Sequence, residues 1–153
     1  MKVFLFSREY IDKNENCFKQ IELGKKHKVK DIVINNPEEN NELYILHSFD
    51  LINNNKSMYK SINKVRVLSS EKFDKEFCIQ KDNVNIYLNE YISNKTHLEL
   101  KEINLKDVVD SDVIEILEND FAIILPGGDF IIRLCEEVEE LNASIKLQTV
   151  KIY

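Results

Sequence analysis

Glycine and proline are scarce in this chain, with three glycines and two prolines in 153 residues. A G-x-G-x-x-G dinucleotide loop and a G-x-x-x-x-G-K-[ST] phosphate loop cannot be written with Gly24, Gly127 and Gly128, so ordinary Rossmann dehydrogenases and P-loop NTPases are excluded. Cysteine is also sparse: Cys17, Cys78 and Cys135 are odd in number, widely spaced and without a C-x-x-C pair. A disulfide framework or a zinc site built from cysteines is thereby disfavoured. His27, His47 and His97 have no histidine or cysteine at metal-ligand spacing and read as surface or lightly packed side chains, so neither a metal nor a cofactor is implied. Long apolar runs are missing too. The longest, Phe121 to Leu125, falls far short of the ~20 residues that cross a bilayer. The apolar start, Val3 to Phe6, meets Ser7-Arg8-Glu9 too early for a secretory signal, and a cytoplasmic location with no membrane association is expected. Basic charge is in deficit, with 21 Lys and Arg against 27 Asp and Glu. The net charge of −6 disfavours a nucleic-acid partner, since neutralising a phosphate backbone needs the opposite balance.

What is present is an ordinary globular balance, 43% hydrophobic and 31% charged, over a length that suits a single domain spanning 1–153. Lys2 to Phe6 reads as a buried strand. Asn14 to His27 places Cys17, Phe18, Ile21 and Leu23 near one helical face, with Lys25-Lys26-His27-Lys28 complementing the dipole at its end. Ile32-Val33-Ile34 then predicts a second strand within 31–35. Strand, helix and strand in this order form a βαβ unit. Residues 42–52 favour a helix through Leu43 and Leu46 and through Ile45, Phe49 and Ile52, although Tyr44-Ile45-Leu46 alone would allow a strand, and 57–63 predicts another short helix before a strand at 65–69. From about 76 to 103 the pattern changes to period two, with Val84, Ile86 and Leu88 alternating with Asn85, Tyr87 and Asn89, which predicts an antiparallel β-meander with one wet face. Asp112 and Glu115 form a possible capping box. A buried strand at 121–125 precedes a helix carrying Phe130, Ile131, Leu134, Val138 and Leu141, and 145–152 closes the sheet. The expected fold is α/β: a mainly parallel, Rossmann-like three-layer sandwich with the meander as an insertion.

Chemistry concentrates at Leu125-Pro126-Gly127-Gly128-Asp129, where two of the three glycines and one of the two prolines meet. Between a strand and a helix, Gly127 and Gly128 would let a ligand approach the backbone, and the helix start would favour an anion. The alternative is a tight turn with Asp129 as an N-cap. Ser7, Arg8 and Tyr10 follow the first strand, at the end where open parallel sheets bind ligands. There Arg8 suits a phosphate and Tyr10 a base. On the expected helix, Glu137 and Arg133 lie four residues apart and share a face, although Glu136-Glu137-Val138-Glu139-Glu140 also reads as a solvated acidic surface.

The run Phe121 to Asp129, followed by Glu136 and Glu137, resembles the ligand-side strand, loop and helix of the nucleoside 2-deoxyribosyltransferase-like proteins. It is similar in outline to the Lonely-Guy-type nucleotide phosphoribohydrolases, whose P-G-G-x-G-T-x-x-E pattern meets Phe130, Ile131 and Leu134 here at its last three fixed positions. The resemblance implies action on an N-glycosidic bond, with Glu137 as the catalytic carboxylate.

Two functions follow. One is a nucleotide- or nucleoside-binding protein, either a glycosidase or deoxyribosyltransferase-like enzyme or a binder without turnover, that takes a small phosphorylated or nucleoside ligand. The other is a non-enzymatic interaction or regulatory protein that forms a homodimer or binds a protein partner through a sheet edge.

Overall fold

The computed structural model describes residues 1–10, 18–53, 62–70, 79–81, 84–90, 97–106 and 111–152. Its strands are β1 (Val3–Ser7), β2 (Lys19–Asn35), β3 (Glu42–Ile52), β4 (Lys64–Ser70), β5 (Ile79–Lys81), β6 (Val84–Asn89), β7 (His97–Asn104), β8 (Val113–Glu115), β9 (Asp120–Ile124) and β10 (Asp129–Lys151). A single 3-10 turn, Arg8–Tyr10, is the only helical element among the described residues. Among the described residues every strand pairing is antiparallel. This overturns the expected parallel, Rossmann-like α/β sandwich, its βαβ unit and its helices at 42–52, 112–117 and 130–141, and at 14–27 over the described part from 18 onward, residues 14–17 lying outside the described residues. The expected helix at 57–63 lies outside the described residues except for Ile62 and Asn63.

The spine is the long ribbon of β10 and β2, paired from Asp129↔Asn35 to Leu147↔Lys19. Along its other edge β10 pairs first with β4, from Asp129↔Ser70 to Leu134↔Val65, and later with β3, from Ala143↔Leu51 to Lys151↔Glu42. The first half therefore reads β7-β4-β10-β2-β6-β5, and the second β1-β9-β3-β10-β2, with β8 also on β3. The ribbon is folded back on itself. Phe49 pairs with Ile145 on the second half, fifteen residues along β10 from Phe130, a span of about 50 Å in a straight strand. Yet the rings of Phe49 and Phe130 lie 6.2 Å apart. The two halves thus face each other across one core that includes Ile32, Ile34, Leu46, Phe49, Phe130 and Ile145.

Bulges make the corner, as they do where strands pass between packed sheets. Between Arg133↔Asp31 and Val138↔Val29, β10 spends Leu134 to Glu137 against Lys30 alone. Between Val138↔Val29 and Glu140↔Lys26, β2 spends His27 and Lys28 against Glu139, with Lys28 at φ +46°. Here the two charge runs of the sequence meet: Lys25 and Lys26 stand opposite Leu141 and Glu140. Neither run is a helix surface or a helix cap. They are facing strand segments with complementary charge.

The first half of the sheet is buried on both faces. Its outer side carries an apolar row in direct register, Tyr87, Val33, Ile131 and Leu68, each at most 2% exposed. Tyr87 accordingly does not face solvent as the alternating pattern suggested, while Asn89 is half-buried. β5 and β6 form a hairpin, but β7 pairs with β4, so 76–103 is not one continuous meander.

Candidate functional site

Leu125-Pro126-Gly127-Gly128 is a tight reversal between two antiparallel strands, β9 and β10. The Gly128 amide donates to Leu125 O at 2.9 Å, and Gly127 has φ +87°. Proline second and a positive-φ glycine third are the signature of a type II turn. The turn's donors are occupied: Gly127 N donates to Asn36 O at 2.7 Å, and Asn36 N donates to Gly128 O at 3.0 Å. Asn36, fully buried, also donates from Nδ2 to Glu42 O and Ile124 O, both at 2.9 Å, so it stitches the 36–42 connection to the turn. Gly128 is buried against the chain start. A Cβ built there would stand 2.9 Å from Lys2 O and 3.0 Å from Leu125 O. No helix start follows, since Asp129 opens β10. Asp129 is not an N-cap either: it is 2% exposed and accepts from Asn35 Nδ2 at 2.6 Å.

The other expected site residues do not converge on this turn. Because β1 and β9 are antiparallel, Val3 lies opposite Ile124 beside the turn while Ser7 lies opposite Asp120. Arg8 is then about 20 Å from the turn along β1, at six residues from Lys2. Its guanidinium is spent on main-chain carbonyls. Nη2 donates to Leu117 O at 2.8 Å and to His47 O, and Nε donates to Glu118 O at 3.0 Å. Ser7 is exposed at the end of β1, and Tyr10 ends the 3-10 turn. Arg133 is 5% exposed and holds a two-pronged ion pair with Asp31, at 2.8 and 3.0 Å. Glu137 is exposed in the β10 bulge, on a strand and not on a helix that would align it with Arg133.

His47, expected as a surface or lightly packed side chain, is instead buried, at a bulge that the sequence does not reveal. His47 is the extra residue between Lys146↔Ser48 and Leu147↔Leu46. It is 5% exposed, edge-on to Phe18 at 4.5 Å, and donates from Nε2 to Gln148 Oε1 at 2.9 Å. Nearby, Asp50 faces Glu115 across β3 and β8. Burial raises the Asp50 carboxyl above its ordinary range and Glu115 raises it further, against the opposing pull of Lys146 and Arg8. A carboxyl whose folded pKa is raised favours the native state only while protonated, so its contribution is present below the unfolded value near 4 and lost as pH rises through the folded one. Asp50→Asn is therefore expected to raise the melting temperature at pH 7, with the gain vanishing toward pH 3. A constant difference across that range, read by thermal denaturation, would contradict the assignment.

One partly exposed apolar surface lies on β1, while Leu98, Val113 and Ile152 are exposed elsewhere. Its outer row, Phe4, Ile123 and Ile45, is in direct register across β1, β9 and β3. Beside it Phe6 stacks on Phe121, with centroids 5.5 Å apart, and remains 41% exposed. Among the described residues β1 pairs only with β9, leaving its other edge open. Leu125 N donates to Lys2 O and Arg8 N to Asn119 O, so the even-numbered residues bond to β9. The amides and carbonyls of Val3, Leu5 and Ser7 consequently point to the open edge.

The chain matches no family model, no curated protein and no solved structure. The likeness to the deoxyribosyltransferase-like proteins rests on the segment from Phe121 and on the opening strand Lys2 to Ser7, and the parallel fold it implied is replaced by the antiparallel one. Among the described residues no group of three or more His, Cys, Asp or Glu side chains is placed to hold a metal ion, and no helix is long and apolar enough to cross a membrane.

Proposed function

We propose that this is a non-enzymatic interaction protein that self-associates through the open edge of β1. The reading that a nucleotide or nucleoside binds at Gly127, Gly128 and Arg8 needs those groups together and free, and they are neither. What supports self-association is the self-complementarity of β1. A two-fold axis through Leu5 sets Val3 opposite Ser7 of a second copy and Leu5 opposite Leu5, which uses all three outward donors and all three acceptors. The same axis sets Phe4 opposite Phe6, a close aromatic pair on the outer face.

A five-residue strand contributes a small interface, below the ~1,200 Å² of stable complexes, so the dimer is weak and concentration-dependent. Its place is a reducing cytoplasm, where the exposed Cys135 stays a thiol. Light scattering on a size-exclusion column is expected to show mass rising from 18.0 kDa toward twice that value as concentration increases. Phe6→Lys, and Ser7→Pro, which removes one outward amide, should each hold the protein at the monomer mass. A wild type that stays monomeric at millimolar concentration, or variants that dimerise equally well, would end this reading.

A further inference from the structure

Leu98 of β7 points inward and is exposed all the same. It stands opposite Ser69 of β4, which itself stands opposite the core residue Phe130, so the Leu98 side chain lies on the core face of the sheet. It is nevertheless 52% exposed. Leu100 and Ile103 of the same strand pack against the core, which confines the exposure to the Leu98 end. On the facing layer Leu5 of β1 is likewise only partly buried against that core.

One ion pair fixes where β7 lies over the facing layer. Lys101 stands opposite Val67, also on the core face, and its Nζ reaches Asp120 Oδ2 of β9 at 2.6 Å. Asp120 in turn is opposite Ser7. From Lys101 to Leu98 the register on β4 advances from Val67 to Ser69, two positions toward the Gly127-Gly128 turn. The same two positions lead from Asp120 to Ala122 on β9, and Ala122 is opposite Leu5. Leu98 therefore stands at the height of Leu5, across the ~10 Å that separates packed sheets. Leu5 is also the residue through which the two-fold axis of the β1 pair runs.

We propose that Leu98 is the second contact of the self-association, closing with Leu5 and with the same two leucines of a second copy into one apolar cluster on the axis. The inference rests on the β1 dimer and adds to it a layer that the strand ladder lacks. Among the described residues β7 pairs only with β4 and β1 only with β9, so the sandwich is open on this side. Pairing β1 with its copy joins two such open sides, with Leu5 opposite Leu5 at about 5.5 Å between Cα atoms. Leu98 and its copy then cap that pair from the other layer. A second copy is the occupant because the axis sets the same two leucines on both of its sides, which is the self-complementarity an isologous interface needs. The rim is already neutral, since Lys101 and Asp120 compensate each other. Burying two half-exposed leucines puts apolar surface at the centre of a small interface, where affinity concentrates.

Sedimentation equilibrium of the full chain is the test. Leu98→Ala is expected to weaken the dimer about tenfold, because each dimer loses the side chain twice. Leu98→Lys should hold the protein at the monomer mass at concentrations where the wild type dimerises. Both variants should melt like the dilute wild type, since the side chain is half exposed in the monomer. Val113→Lys controls for added charge: Val113 is 44% exposed and pairs with Ile52, at the end of β3 away from β9, and its replacement should leave dimerisation unchanged. In a mixed-label sample an isotope-filtered methyl NOE is expected between Leu98 of one copy and Leu5 of the other. Wild-type affinity in both Leu98 variants, with Phe6→Lys still monomeric, would overturn the role of Leu98 and leave the β1 ladder standing. Equal weakening by Val113→Lys would overturn it too. A wild type that stays monomeric would overturn both.

Discussion

Replacing Asp31 with Ala is expected to destabilise the protein by about 3–5 kcal/mol, a large share of the roughly 5–15 kcal/mol that holds a domain together. The reason is the guanidinium left behind. Arg133 is 5% exposed and Asp31 fully buried, and their two hydrogen bonds compensate charges that water no longer solvates. Next to Arg133, directly in register on β4, stands Arg66, which has Glu99 as its own partner at its more exposed position. Across β7, β4, β10 and β2 the charges thus run acid, base, base, acid, and removing Asp31 takes away the carboxylate that Arg133 grips with two hydrogen bonds. The double variant Asp31→Leu, Arg133→Met should recover most of the loss, because an apolar pair carries no desolvation cost. Denaturant midpoints of the two single and one double variants decide this. If the double variant were as unstable as Asp31→Ala, the pair would matter for more than charge compensation.

Gly128→Val is the second change expected to be severe, and it acts on the fold. A Cβ at Gly128 meets Lys2 O at 2.9 Å, Leu125 O at 3.0 Å and Lys2 Cβ at 3.1 Å, two of them main-chain atoms that cannot swing aside. Overpacking of this kind costs about 1–3 kcal/mol for added methylenes, and the two methyls of valine put it at about 3 kcal/mol or more. Gly127→Ala should cost less, about 1–2 kcal/mol, since its φ of +87° is unfavourable for a side chain but its nearest obstacle is the mobile end of Lys2. Thermal melts of both variants, with Gly128→Val the lower, would support the turn as a structural clasp. A Gly128→Val protein as stable as the wild type would show the backbone there to be open after all.

The strand segments near 2–6, 31–35, 65–69, 121–125 and 145–152 were legible because they are continuous or alternating runs of β-branched and aromatic residues. Their direction was not. Nothing local in Val3-Phe4-Leu5 or Ile32-Val33-Ile34 tells a strand covered on both faces in a parallel sheet from one covered on both faces in an antiparallel sheet. The false helices have a specific cause. Leu134 and Val138 lie four apart across the bulge of β10, Val138 and Leu141 three apart where β2 bulges at His27 and Lys28, and Leu46 and Phe49 stand three apart because His47 bulges between them. Each bulge shifts the period of two toward 3.6. The Gly-Gly turn was rightly picked out as concentrated information, but what it specifies is a type II reversal locked by Asn36. Once β1 and β9 run antiparallel, Arg8 is carried to the far end from that turn. The open edge of β1 was legible only in part: the Phe4, Phe6 pair is plain in the sequence, yet which strand lies at an edge depends on long-range pairing.

The claim that this protein acts through strand edges is tested most directly by residue-resolved amide hydrogen exchange at two protein concentrations. In dilute solution the amides of Phe4 and Phe6, bonded to β9, should be protected, while those of Val3, Leu5 and Ser7 exchange at rates close to an unstructured chain. At high concentration the second set alone should gain protection, in the alternating pattern that a β1 to β1 ladder requires. Equal protection of all five amides in dilute solution, or no change in Val3, Leu5 and Ser7 with concentration, would contradict the account.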